Sequence, residues 1–229
     1  MKGKRFFIVL FVCILTFFCC GCKSDAEKAA AQAQANWNQA GSEQRMSIYC
    51  ALIKEYMLLV EELGTETPYP SMKRSVKGSM MSSGLTQEEA IEQAEEYLVE
   101  EQAVFWRAEL DDIIVTDDEV KRYIQENIIS KVSSEADYDM VSKACEQEGI
   151  TFEDTIWAYE NSYKMDLIGE KAGIENYDEM ETYKEESVER FKASDAYGAY
   201  KAVLDNCAEL IRDNVTDKET LREADIYYE

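Results

Sequence analysis

Twice between Thr86 and Val132, a threonine stands three residues ahead of a glutamate and opens a run in which apolar side chains return every three or four positions. The threonine hydroxyl can accept from an unpaired N–H at a helix start while the glutamate reaches back to the threonine N–H, so each pair predicts a helix N-terminus. After Thr86 and Glu89 the run is Ile91, Ala94, Leu98, Phe105 and Ala108; after Thr116 and Glu119 it is Val120, Ile124, Ile128 and Val132, with Tyr123 alongside. At about 3.6 residues per turn each set lies on one side of a helix. Neither stripe can stay in water, so the two helices must fold back through Ile113, Ile114 and Val115 or dock on others.

The same pattern extends through the chain. Ser42 opens an apolar helix through Ile48, Tyr49, Leu52, Tyr56, Met57, Leu59, Val60 and Leu63, and Gly64 stands where a helix stops. Asp137 to Glu148 reads as a shorter helix with Met140, Val141, Ala144 and Cys145, ended by Gly149. Thr151 caps the next, whose stripe Phe152, Ile156, Tyr159, Tyr163 and Leu167 runs on towards Gly173. Asp178 to Asp213 carries Met180, Tyr183, Phe191, Tyr200, Val203, Cys207 and Leu210, and Ser194, Asp195 and Gly198 mark where it can bend or divide. With two prolines in 229 residues and capped runs throughout, the fold class is all-α, a multi-helix body.

Two stretches break the pattern. Residues 22–41 are rich in Ala and Gln, with Trp37 the main bulky side chain, and read as a tether, partly helical at most, without a stripe to pack. Residues 65–84 hold Pro68, Pro70 and five serines and read as a flexible linker. Lys73, Arg74 and Lys77 within it form a basic cluster, which fits either a solvated linker or an arm that pairs with an acidic partner or with the chain's own acidic body. The division is then a leader over 1–21, the tether over 22–41, a helix over 42–64, the linker over 65–84 and a helical body over 85–229.

The leader has a positive start, Lys2, Lys4 and Arg5, and an almost unbroken apolar run from Phe6 to Cys20. That run is short of the roughly 20 residues a membrane span needs, so it reads as an export signal. Its end, Cys19-Cys20-Gly21-Cys22-Lys23-Ser24-Asp25, resembles the lipobox of bacterial lipoproteins, with Gly21 before the cysteine that is modified. The resemblance implies a diacylglyceryl thioether and at least two acyl chains at Cys22, which anchor firmly where one is marginal. The expected location is outside the cytoplasm, tethered to the membrane.

Charge narrows the partners. The chain carries 24 Lys and Arg against 47 Asp and Glu, net −23, and loss of Lys2, Lys4 and Arg5 leaves 21 against 47, net −26. Such a surface is repelled by phosphates and anionic lipid, so no nucleic acid is expected and membrane residence needs the covalent anchor. The absence of histidine removes the usual base of Ser and Cys hydrolases and common zinc ligands. No phosphate loop is present, and no metal or cofactor is expected. Glu88, Glu89, Glu95, Glu96, Glu100 and Glu101 fall mainly opposite the apolar stripe, as on a solvated helix face, so no carboxylate is nominated for acid–base work. Cys50, Cys145 and Cys207 sit on apolar stripes and read as buried thiols, one disulfide among them being left open in an oxidising compartment. Trp37, Trp106 and Trp157, with the surplus of Tyr and Met, fit core packing or a client-binding groove.

From Gly84 to Glu229 the pattern resembles the N-terminal chaperone domain of the SurA and PrsA foldases. The residues that carry the resemblance are Gly84-Leu85-Thr86 with Glu88-Glu89-Ala90, then Ile113-Ile114-Val115-Thr116-Asp117-Asp118-Glu119-Val120, and Gly149-Ile150-Thr151-Phe152-Glu153-Asp154. In that family a segment like Val215 to Tyr228 leads into a parvulin-type prolyl isomerase domain, which pairs histidines that this chain lacks. The resemblance implies a non-catalytic chaperone, not an enzyme, that binds unfolded or exported polypeptides between its helices. The alternative is a structural or docking lipoprotein that holds one folded envelope partner.

Overall fold

The computed structural model describes residues 24–132 and 138–228, and every ordered element among them is a helix. In chain order these are α1 Asp25–Gln39, α2 Ser42–Leu63, α3 Tyr69–Ser82, α4 Gln87–Leu110, α5 Asp117–Tyr123, α6 Tyr138–Glu148, α7 Phe152–Trp157, α8 Glu160–Lys171, α9 Tyr177–Lys192, α10 Asp195–Arg212 and α11 Lys218–Glu223. Among the described residues, none of these is long and apolar enough to cross a membrane.

The predicted starts are built as the sequence implies. Thr86 accepts from the Glu89 N–H while the Glu89 carboxylate accepts from the Thr86 N–H at 2.8 Å. Thr116 with Glu119 and Thr151 with Asp154 repeat the reciprocal pair. Along α4, Ile91, Ala94, Leu98 and Ala108 are buried. The long run after Asp178 divides at Ala193 and Ser194, between α9 and α10.

Helix α4 is the hub, packed by α3, α8, α9 and α10. Its first half shares the main core with Tyr69, Met72 and Val76 of α3, Phe191 of α9, and Tyr200, Leu204 and Cys207 of α10. Phe191 is fully buried beneath Trp106, Tyr197 and Tyr200, ring centroids 5.6 to 6.0 Å away. The second half of α4 gives Val104 and Ala108 to a core with Met165 and Ile168 of α8 and Tyr183 of α9. A further cluster joins Val120, Ile124 and Ile129 to Phe152, Ile156 and Leu167. Leu221 and Ile226 close the main core, where Tyr228 meets Tyr200 edge-on at 4.9 Å.

Several expectations are corrected. Residues 69–82 are not a flexible linker but helix α3, with Tyr69, Pro70, Met72, Lys73 and Val76 buried. The prolines fall at its N-cap and second residue, where a missing N–H costs nothing. The basic cluster pairs with the chain's own body: Lys73 and Lys77 reach Glu55 at 3.4 and 2.6 Å, and Arg74 lies over the rings of Tyr56 and Tyr159. The tether, expected to be partly helical but unpacked, is largely helix α1, and it does pack: it docks on α3 and buries Ala30. Gln34 of α1 donates to the Ser83 carbonyl at 3.0 Å and lies 2.7 Å from where a Cβ on Gly84 would stand; with φ at +69°, that position suits glycine.

Two helices differ from their predicted windings. After α5 the chain passes directly through a π-helical segment, Ile124–Ile129, into Ser130–Val132. The wider turn inserts a residue into the four-step stripe, so Ile129 takes the buried place expected of Ile128, which is half-buried. The helix opened by Thr151 breaks at Tyr159 into α7 and α8. In α2 the fully buried positions are Cys50, expected as a buried thiol, and Ile53, which the predicted stripe omits, because α2 lies between α3 and α6 and each takes a different side.

Candidate functional site

Helix α9 lies along α4 on the face that carries the glutamates. That face is therefore a helix–helix junction as well as a solvated one. Lys184 of α9 reaches Glu100 at 3.2 Å and Glu181 at 3.0 Å; Lys201 of α10 reaches Glu95 at 3.1 Å and also pairs with Asp205. Burial opposes the Lys184 charge, but hydrogen bonds to Glu181 and Glu100 outweigh it and raise its pKa. Lys201 behaves alike with Asp205 and Glu95. These bridges tie the middle of α4 to α9 and α10 without closing the face.

Between them runs an open groove of about 610 Å³. Helix α4 lines one side with Glu92, Glu95, Glu96, Val99 and Glu100, and α9 the other with Glu181, Lys184, Glu185, Val188, Glu189 and Lys192; Tyr197 and Lys201 of α10 close one end. Its apolar lining is Val99, which is buried, with half-buried Val188 and Tyr197. Seven glutamates against three lysines leave the walls at net −4. Among the described residues, Glu92, Glu96, Glu185 and Glu189 pair with no cation, and all four are exposed to solvent along the rim.

Glu101, one position beyond Glu100, is the exception to the solvated-face reading. It is 8 % exposed and points to the opposite flank of α4, where Asn161 Nδ2 donates to it at 2.7 Å. Burial pushes its carboxyl up to about 6, against the pull of Asn161, Tyr97, Arg74 and Lys164. The Arg74 guanidinium donates to the Ala158 carbonyl beside it. Periodicity alone misplaced Glu101, because α4 is covered on more than one side. The signal available in the sequence was the adjacent Tyr97, one turn back on the same flank.

The three tryptophans do not line the groove. Trp106 packs on the main core over Phe191, Trp157 on the cluster of α7 and α8, and Trp37 lies under Arg45 at 5.7 Å. Cys22, the predicted lipidation site, and the leader lie outside the described residues. Among the described residues, no group of three or more Cys, Asp or Glu is arranged to hold a metal ion.

Fold and groove together define an acidic, all-helical protein with an open amphipathic channel between two long helices. No family model, no curated protein and no solved structure matches the chain.

Proposed function

We propose that the protein is a membrane-tethered, extracytoplasmic lipoprotein that acts as a non-catalytic chaperone, holding unfolded stretches of exported polypeptides in the groove between α4 and α9. The observation that carries this reading is the groove itself: an apolar floor of Val99, Val188 and Tyr197 under a rim of unpaired glutamates. Such a channel suits an extended segment with apolar side chains flanked by Lys or Arg, held by burial of its apolar side chains and by opposite charge at its edges. No covalent step is asked of the site. The resemblance to the chaperone domain of the SurA and PrsA foldases supports the same reading, and the lipobox-like end of the leader supports the address, with a diacylglyceryl thioether at Cys22.

The test is direct. A photo-crosslinker at exposed Glu185 is expected to capture many different unfolded exported chains, and the purified protein to slow their aggregation. Capture of one folded protein in a stoichiometric complex would replace the chaperone with a docking lipoprotein; no capture and no effect on aggregation would overturn both. Mass analysis of the N-terminal peptide checks the anchor, which fails if Cys22 carries no lipid.

A further inference from the structure

Two sulfurs meet where α6 docks on α2. Cys50 and Cys145 are both fully buried, and their Sγ atoms are 3.4 Å apart. Ala144 is buried with them, and Met46, Tyr49, Val141 and Ile150 pack around the pair. The contact is set by the docking of the two helices. Ser47, Cys50 and Lys54 recur at steps of three and four and so share one face of α2. Ser47 Oγ donates to Glu148 Oε1 at 3.0 Å, and Lys54 Nζ donates to the Glu148 carbonyl at 2.6 Å. Anchors on both sides of Cys50 thus fix the register that brings Cys145 against it. Cys207 belongs to the main core, a separate cluster from this pair.

A disulfide needs its sulfurs about 2.05 Å apart, roughly 1.4 Å closer than these two thiols, which already stand in direct contact. We propose that Cys50 and Cys145 form a disulfide by exchange with a disulfide-bearing oxidant, while Cys207 remains a thiol. One thiolate of the pair attacks a sulfur of the oxidant, forming a mixed disulfide and releasing one thiolate. The second cysteine then attacks the mixed disulfide at the protein sulfur, closing Cys50 to Cys145 and releasing the other. The two thiol protons end on the two released thiolates, and the pair has lost two electrons to the oxidant.

Timing follows from burial. Once α6 is docked, removal from water pushes the Cys50 thiol up to about 12 and raises Cys145 as well, so little thiolate is available. Exchange therefore belongs to the folding chain, before the helices close, and the same burial afterwards shields the bond from reductants. The link ties α6 to α2 across 95 residues of sequence. It depends on the oxidant alone and not on what the groove binds.

The experiment uses the full-length chain with Cys13→Ser, Cys19→Ser, Cys20→Ser and Cys22→Ser, so that only the three body cysteines remain. It is reduced and unfolded, refolded in detergent with glutathione and glutathione disulfide, alkylated and mapped by peptide mass. The expected map shows the Cys50 and Cys145 peptides joined, two hydrogens lighter than their sum, with Cys207 alkylated: one reactive thiol left of three. Adding Cys207→Ser is expected to leave the link in place, and adding Cys50→Ser to free Cys145 for alkylation. Alkylated Cys50 and Cys145 in the refolded chain, each cysteine capped separately by glutathione, or a link that involves Cys207 or a second chain would each overturn the proposal. The same map on the unsubstituted chain isolated without reductant from a host that exports it gives an independent reading, and free Cys50 and Cys145 there count equally against it.

Discussion

At Glu101 desolvation outweighs every group that favours the carboxylate. Its carboxyl titrates near 6 in the folded chain against an ordinary 4.5, so the folded state holds the proton more tightly than the unfolded one. The stability contributed by that proton is complete below about pH 4.5 and is lost as pH rises through about 6. The gap corresponds to roughly 2 kcal/mol by neutral pH. Glu101→Gln keeps an oxygen to accept from Asn161 and removes the titration. Urea unfolding of both proteins between pH 4.5 and 7 is expected to show the variant gaining on the parent as pH rises; parallel curves would refute the assignment. Glu119 does not confuse this window. The Lys171 hydrogen bond holds its carboxyl down to about 2, so its contribution is lost only as pH falls below the usual carboxylate range. Residues whose role is local were legible in the sequence: Thr86, Thr116 and Thr151 cap as their spacing implies. Glu101 was not, because its partner Asn161 lies 60 residues away and only the packing of α8 brings it near.

At the scale of elements, α3 is the largest departure from the sequence reading. Its composition, two prolines and five serines in 65–84, is that of a connection, yet Tyr69, Met72 and Val76 keep the three-four step inward and only Ser82 and Ser83 of the serines are exposed. A stripe of only three apolar residues is weak evidence next to two prolines, and helix burial decides the matter. Met72→Ala removes a fully buried side chain and is expected to lower unfolding free energy by about 2–5 kcal/mol, where a linker residue would change it by less than about 0.5. Trypsin offers a second check. Lys73 is 8 % exposed within a packed helix, so cleavage at Lys73 is expected only after the chain is unfolded. Ready cutting there in the native protein would restore the linker. The π-helical turn Ile124–Ile129 was hidden for a different reason. Apolar residues stand at both 128 and 129, so the even four-step pattern and the five-step pattern are both written in the sequence, and only docking against Phe152 and Ile156 selects Ile129.

For the whole molecule, charge and packing have to be read together. A chain at net −23 repels anions, and in the groove that field is set beside apolar floor residues. The two contributions respond differently to salt. Opposite charge at an exposed rim is screened over about 8 Å at physiological ionic strength, whereas burial of apolar side chains is not weakened by added salt. The chaperone reading therefore predicts that a basic unfolded client binds more tightly than an acidic one of equal hydropathy, and that the difference shrinks as salt rises. Combining Glu96→Lys with Glu185→Lys brings the walls from net −4 to neutral at two exposed positions, where stability should move by less than about 0.5 kcal/mol. That variant is expected to lose the preference for the basic client while keeping some affinity for both. Val188→Ala, which trims the floor and leaves the rim intact, is expected to weaken both clients together and to leave the preference. Client titrations at low and high salt separate these outcomes. If the rim reversal leaves the preference between clients unchanged, the groove is not where they bind.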